Sequence, residues 1–182
     1  MADFEIVLTL HCLRNKGEFN IVTISESREK ITAQSGLKFV PDMKISELND
    51  TVLNECAGLL IPGGPINPVQ NEICPIVQYM VENNKLVAAL CFAPQFLGRA
   101  GVLKTHHFTT SCSRQHIEKT GCDDPFYWDN YEEKRIVMDK NILTAKGFSF
   151  VDMAEKISEI FNVFENDDAR KSYFDKIRKD CQ

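Results

Sequence analysis

Two stretches of this chain run five positions without a polar residue: Ala57-Gly58-Leu59-Leu60-Ile61 and Leu86-Val87-Ala88-Ala89-Leu90. Short apolar runs without alternation predict strands covered on both faces. A third, Asn141-Ile142-Leu143-Thr144-Ala145, reads as a strand ended by Gly147. Between these runs the apolar spacing lengthens. Ile73, Ile76, Val77, Met80 and Val81 recur at helical intervals within residues 69–84, and Phe92, Phe96 and Leu97 do so after Cys91. Further on, Phe150, Met153, Ala154, Ile157, Ile160, Phe161 and Phe164 make a long amphipathic stripe. Strand, glycine-rich turn, helix, strand, sharp turn, helix is the order of a parallel α/β sheet.

The remaining segments are read from weaker patterns. Within residues 3–13, Phe4, Ile6, Leu8 and Leu10 alternate like a strand, while Ile6, Leu10 and Leu13 fit one helix stripe. Residues 19–24 predict a β-branched strand, 36–40 a short strand or hairpin arm ending at Pro41, and 45–53 a short helix or turn with Ser46 as cap. Residues 107–111, 126–128 and 135–137 predict three more strands. The chain is expected to form a single domain over 1–182, with 167–182 as a charged helical tail packing through Tyr173, Phe174 and Ile177.

Composition narrows the function. A net charge of −5 with no basic run argues against a nucleic-acid surface. No apolar segment approaches the roughly 18 residues of a membrane span, and no basic region followed by an apolar stretch opens the chain as in a signal peptide. Seven cysteines, an odd number without metal-ligand spacing, point to a reduced, cytoplasmic protein with no bound metal. No cofactor motif is present.

Chemistry concentrates where a strand turns into a helix. Cys91 follows the run 86–90, Pro94 suits a first helical turn, and Ala89 and Ala93 supply the small neighbours that a nucleophile elbow needs. A thiol there faces a helix N-terminus and free amides, which favour thiolate. Cys91 as a small core hydrophobe is the other reading, and it is preferred for the remaining six cysteines. Gly63-Gly64 lacks the spacing of a phosphate-binding loop. It reads either as a tight turn or as a place where the Gly64 amide joins the Phe92 amide in an oxyanion site. Glu5 is the one carboxylate in an apolar stretch, so it either partners the thiol or sits exposed at a frayed terminus. His106 and His107 would point to opposite faces of a strand, so at most one can reach Cys91. His116-Ile117-Glu118 lies mid-chain, before several strands, and is given no role.

Taken in order, Ala2-Asp3-Phe4-Glu5-Ile6, Leu60-Ile61-Pro62-Gly63-Gly64, Ala88-Ala89-Leu90-Cys91-Phe92-Ala93-Pro94, Gly101-Val102-Leu103 and Ile142-Leu143-Thr144-Ala145-Lys146-Gly147 resemble the ThiJ/PfpI family of the class I glutamine amidotransferase-like superfamily. The resemblance implies a flavodoxin-like three-layer sandwich with a mostly parallel sheet. It also implies a reactive Cys91, a protonated Glu5 beside it, an oxyanion site from Gly64 and Phe92, and usually a homodimer. The implied function is a cysteine-dependent enzyme acting on a small reactive carbonyl or amide, glyoxalase-, deglycase- or amidase-like. The alternative is a non-catalytic redox sensor or chaperone-like stress protein using the same cysteine.

Three departures from the family pattern matter. Phe92 stands where peptidase-type members carry histidine, which weakens a peptidase reading. The third catalytic position falls among His106, His107 and Ser111. The usual apolar strand ahead of the Asp-Phe-Glu segment is missing. A truncated start is therefore expected, with Glu5 at the beginning of a first helix and the sheet short of a central strand.

Overall fold

A computed structural model describes residues 1–65 and 71–179. The elements in chain order are α1 (Phe4–Asn15), β1 (Ile24–Ser25), β2 (Ile31–Thr32), β3 (Lys38–Phe39), β4 (Met43–Lys44), α2 (Asp50–Glu55) and β5 (Gly58–Ile61). Then come α3 (Cys74–Glu82), β6 (Leu86–Leu90), α4 (Pro94–Arg99), α5 (Arg114–Thr120), β7 (Ile136–Asp139), β8 (Ile142–Ala145), α6 (Phe150–Ile160) and α7 (Asp167–Lys179).

The main sheet has the order β5-β6-β8-β7, with β5, β6 and β8 parallel and β7 antiparallel to β8. Every residue of β6 is buried, as its uninterrupted apolar run requires of a central strand. Successive side chains leave a strand on opposite faces. Val87 and Ala89 therefore join Ile142, Val77, Met80 and Leu97 under α3 and α4, while Leu86, Ala88 and Leu90 join Leu143, Cys12, Met153 and Ile157 under α1 and α6. Helices on both faces of a mostly parallel sheet make the α/β sandwich that the pattern predicts. The tail helix α7 belongs to the second layer: Phe174 is fully buried there, beside Tyr173 and Ile177. Burying one such ring stabilises the fold by about 1.5–3 kcal/mol.

The ambiguous start is a helix. The face that α1 buries is Glu5, Thr9, Cys12 and Leu13, spaced by three and four residues. Two of those four are polar; of the apolar stripe Ile6-Leu10-Leu13, Leu13 is buried and Ile6 packs partly buried against the same core, so the stripe marks only one edge of the packing face. Residues 38–39 pair with β2 as the arm of a hairpin, as expected. Other expectations are corrected. In residues 19–24 only Ile24 belongs to a strand, through β1 with β4. Residues 45–53 divide into a 3₁₀ turn and α2, whose cap is Asn49 rather than Ser46, with its side chain accepting from the Val52 N–H. Residues 107–111 are not a strand. Phe108 makes one isolated bridge to Tyr131, and Thr109 spends its N–H on the Thr144 hydroxyl. Trp128–Asn130 is a 3₁₀ turn in an aromatic cluster, where ring packing took the place of strand pairing. Part of the expected helix over 69–84 lies outside the described residues; the remainder is α3. Among the described residues no helix is long and apolar enough to cross a membrane.

Gly98 marks the tightest contact between α4 and the loop beyond α5. A Cβ there would collide with the Pro125 carbonyl oxygen and lie 2.9 Å from its carbon. Both are backbone atoms that cannot rotate away. Gly98→Ala should therefore destabilise the chain by about 1–3 kcal/mol, although alanine favours a helix interior. A urea melt reads this as a lower midpoint; an unchanged or higher one would mean that the Pro125 loop yields.

Candidate active site

Cys91 leaves β6 with a positive φ of 58°, a conformation that costs a non-glycine residue about 1–3 kcal/mol. Three hydrogen bonds hold it. Its N–H donates to the Ala145 carbonyl (2.8 Å), and its carbonyl accepts from the Ser111 N–H (3.0 Å) and the Thr110 hydroxyl (2.7 Å). β8 and the segment after His107 thus fix the elbow from two sides, and the side chain is left partly exposed above the carboxyl end of the sheet.

Glu5 comes from the first turn of α1 and is 2% exposed. The Gly63 N–H donates to its Oε2 at 2.8 Å, and its carboxyl shares a hydrogen bond with the Cys91 thiol. The loops need glycine to allow this approach. A Cβ on Gly63 would strike Glu5 Oε2 and lie 2.6 Å from Cys91 Cβ; one on Gly147 would lie 3.0 Å from Glu5 Oε1 and 3.2 Å from Cys91 Sγ. Ser111 completes the shell. Its hydroxyl accepts from the Gly147 N–H at 2.9 Å and hydrogen-bonds the thiol.

The electrostatics correct a simple expectation of a depressed thiol pKa. Burial pushes Cys91 up to about 11, and the Glu5 charge and its hydrogen bond push the same way; Ser111 and the Phe92 N–H oppose them. Burial also raises Glu5, against the pull of the Gly63 N–H and of Cys91. Two acids buried together resist a second negative charge, so the pair holds one proton strongly. Thiolate is favoured only when Glu5 keeps that proton and donates it.

The structure brings Cys91, Glu5, Phe92 and the Gly63-Gly64 turn together. Ala2 donates to the Gly63 carbonyl at 2.8 Å, so the first residues run along this turn. It does not bring either histidine to the thiol. His107 takes its N–H and Nδ1 to Asp139, which pairs with Ile142 at the start of β8, whereas Cys91 lies beyond Leu90, opposite Ala145 at its end. His106 is buried, with Nδ1 on the Val102 carbonyl at 2.8 Å. Four residues of extended chain span about 13 Å, which is why Ser111 arrives where His107 cannot. Gly63 and Gly147 join the site beyond the residues that the sequence points to. Their signal is a glycine just past the end of a buried parallel strand. Among the described residues no three His, Cys, Asp or Glu side chains group closely enough to hold a metal.

Comparison with known proteins agrees with the fold. The model of the DJ-1/PfpI family matches residues 1–160, and the chain belongs to that family. Deglycase TK1284 of Thermococcus kodakarensis is 28% identical over 148 residues, covering 79% of this chain and 82% of the relative. The solved DJ-1 superfamily protein Atu0886 from Agrobacterium tumefaciens superposes with a TM-score of 0.81 at 23% identity, covering 100% of this chain and 94% of that one. A thiJ/pfpI family protein from Bacillus anthracis gives 0.73 at 25%, covering 96% and 84%.

The proton-sharing pair sets a testable pH dependence. Glu5→Gln removes the charge and offers an N–H, so the Cys91 titration should move down from about 11. Ser111→Ala loses a donor and should move it up. Alkylation of the Cys91 peptide followed by mass spectrometry against pH reads both; one midpoint in all three proteins would mean that neither group touches the sulfur's proton. An ordinary thiol titrates near 9, so the folded chain keeps a proton that the unfolded chain loses, and stability should fall as pH rises above 9.

Proposed function

We propose that this DJ-1/PfpI family member is a cysteine-dependent enzyme acting on small reactive carbonyl compounds, with glyoxalase- or deglycase-like chemistry. The observation that carries the reading is the Cys91 thiol at a strained elbow, hydrogen-bonded to a buried Glu5. Relatives named deglycases point the same way, to a carbonyl rather than an amide.

In the reaction, Cys91 Sγ forms a bond to an aldehyde carbon. The carbonyl π pair moves to oxygen, where the Phe92 and Gly64 amides would hold the charge. Glu5 takes the thiol proton and returns it to the adduct. For a 2-oxoaldehyde, moving hydrogen from the aldehyde carbon to the neighbouring carbonyl carbon oxidises one and reduces the other. Water then releases the 2-hydroxy acid, so no external oxidant is needed. Phe92 beside the thiol, its ring 4.9 Å from that of His116, leaves Glu5 as the acid–base group of the site and argues against peptidase action.

A second copy of the chain is the other partner on this reading. Phe148, 87% exposed, follows Gly147 at the site, and Phe4, 45% exposed, packs on Phe150 two residues further. A dimer covering this apolar surface would shield the thiol, and sedimentation velocity should find it; a monomer would remove the dimer from the reading. The six cysteines among the described residues are free, in keeping with a cytoplasmic setting.

Methylglyoxal conversion to lactate should be at least about a hundredfold slower in Cys91→Ser, and Glu5→Ala should fall with it. Equal rates would take Cys91 out of the mechanism. The competing role, a redox sensor, is favoured by Ser111 standing where a base would serve catalysis. Mild peroxide should then modify Cys91 ahead of every other cysteine in a chain that turns over nothing.

A further inference from the structure

Three residues past Ser111 the chain reaches a second cleft, built from different chemistry. It is a half-open cleft of about 410 Å³ lined by Lys104, Arg114, Tyr127, Trp128, Asp129 and Asn130. That volume is within the roughly 300–1,000 Å³ of small-molecule sites. Its walls are held from behind. The Trp128 Nε1–H donates to Asp124 Oδ2 at 2.6 Å, while Oδ1 of the same carboxylate accepts the Phe126 N–H at 2.9 Å. The Trp128 ring packs on Phe126 at 5.2 Å and on Tyr131 at 5.4 Å, and the fully buried Phe108 stacks on Phe126. The Asn130 amide donates to the carbonyls of Leu103 and Lys104, tying the two sides of the cleft together.

The cations in this cleft are the unusual feature. The Arg114 guanidinium lies 5.2 Å from the Trp128 ring centre, and Lys104 Nζ lies 5.7 Å from that of Tyr127. Neither forms an ion pair among the described residues, in a chain with 26 acidic and 21 basic side chains. The aromatic faces orient both charges without neutralising them. An Arg fork and a Lys point charge suit a phosphate or carboxylate, and the exposed Tyr127 ring suits a flat body. Asp129 in the lining disfavours a polyanion and can accept from a hydroxyl. We propose that this cleft binds a small, flat organic anion of nucleoside-monophosphate size. It would be a ligand site separate from Cys91.

Trp128 is the chain's only tryptophan, so its fluorescence reports this cleft alone. AMP titrated into the full chain should quench it saturably and more tightly than inorganic phosphate or adenosine. Lys104→Met and Arg114→Met should each weaken AMP by about tenfold or more, a charge-assisted hydrogen bond's worth. Because Arg114→Met also alters the environment of Trp128, calorimetry should give the same affinities. Cys91→Ser should bind AMP as the unmodified chain does. No saturable AMP signal overturns the proposal. So does adenosine binding as tightly as AMP, which removes the anion, or phosphate doing so, which removes the flat body. AMP binding that ignores both cation variants overturns it as well.

Discussion

A carboxyl and a thiol packed together resist ionising together, and the architecture around Cys91 follows from keeping them in contact. Glu5 reaches the sulfur only because α1 starts at the carboxyl end of the sheet, where the Gly63 N–H meets its Oε2 at 2.8 Å. That contact in turn excludes a side chain at Gly63, whose Cβ would occupy the space of Glu5 and Cys91, and crowds one at Gly147, whose Cβ would lie 3.0 Å from Glu5 Oε1 and 3.2 Å from Cys91 Sγ. The positive φ of Cys91 costs energy that the three hydrogen bonds to its N–H and carbonyl, one of them from the Thr110 hydroxyl, offset. A single ionisable pair thus bears on one strained residue, one glycine that tolerates no side chain and a second that is crowded, on separate loops.

What was legible in the sequence is what a local pattern can encode. The runs 57–61, 86–90 and 141–145 are apolar at consecutive positions because both sheet faces are covered, and each of them holds a strand of the main sheet. The elbow was legible because its steric demand falls on Ala89, Ala93 and Pro94, all near Cys91 in the chain. Segments stabilised by distant or polar partners were not. Residues 19–24 look like a strand by composition, yet only Ile24 pairs, because strand formation depends on a neighbour rather than on β-branching alone. The packing face of α1 contains Glu5 and Thr9, so apolar periodicity finds only its edge, at Ile6 and Leu13. Residues 126–128 are apolar because they build an aromatic cluster with Phe108 and Tyr131, a contact invisible to any period.

The same distinction explains the third member of the site. A histidine is the residue that chemical expectation looks for, and two lie at 106 and 107. Position along the segment decides against them. The segment runs beside β8 from its start, where Asp139 holds His107, to its end, where Ser111 meets Cys91 and Gly147. Chemical type alone favours His107; register places Ser111 at the sulfur. Motif reading without register therefore favours the more reactive residue over the better placed one.

Serine in that place alters what the site can do. A hydroxyl donates to a thiolate and lowers its pKa, as the Ser111 contact does for Cys91, but near neutral pH it neither takes up nor releases a proton. An imidazole would titrate in that range and add a second proton acceptor. On the proposed reading, the proton traffic of Cys91 then runs through Glu5, whose own pKa burial raises. The reactive form of the pair is then thiolate with neutral carboxyl, one tautomer of a singly protonated unit, and its population depends on proton position inside the pair rather than on bulk pH. Such a site keeps its charge distribution until the shared proton is lost at alkaline pH. Contacts to one sulfur from Glu5 and Ser111 stand, on the proposed reading, in place of the histidine-driven activation that the spacing of the two histidines invites.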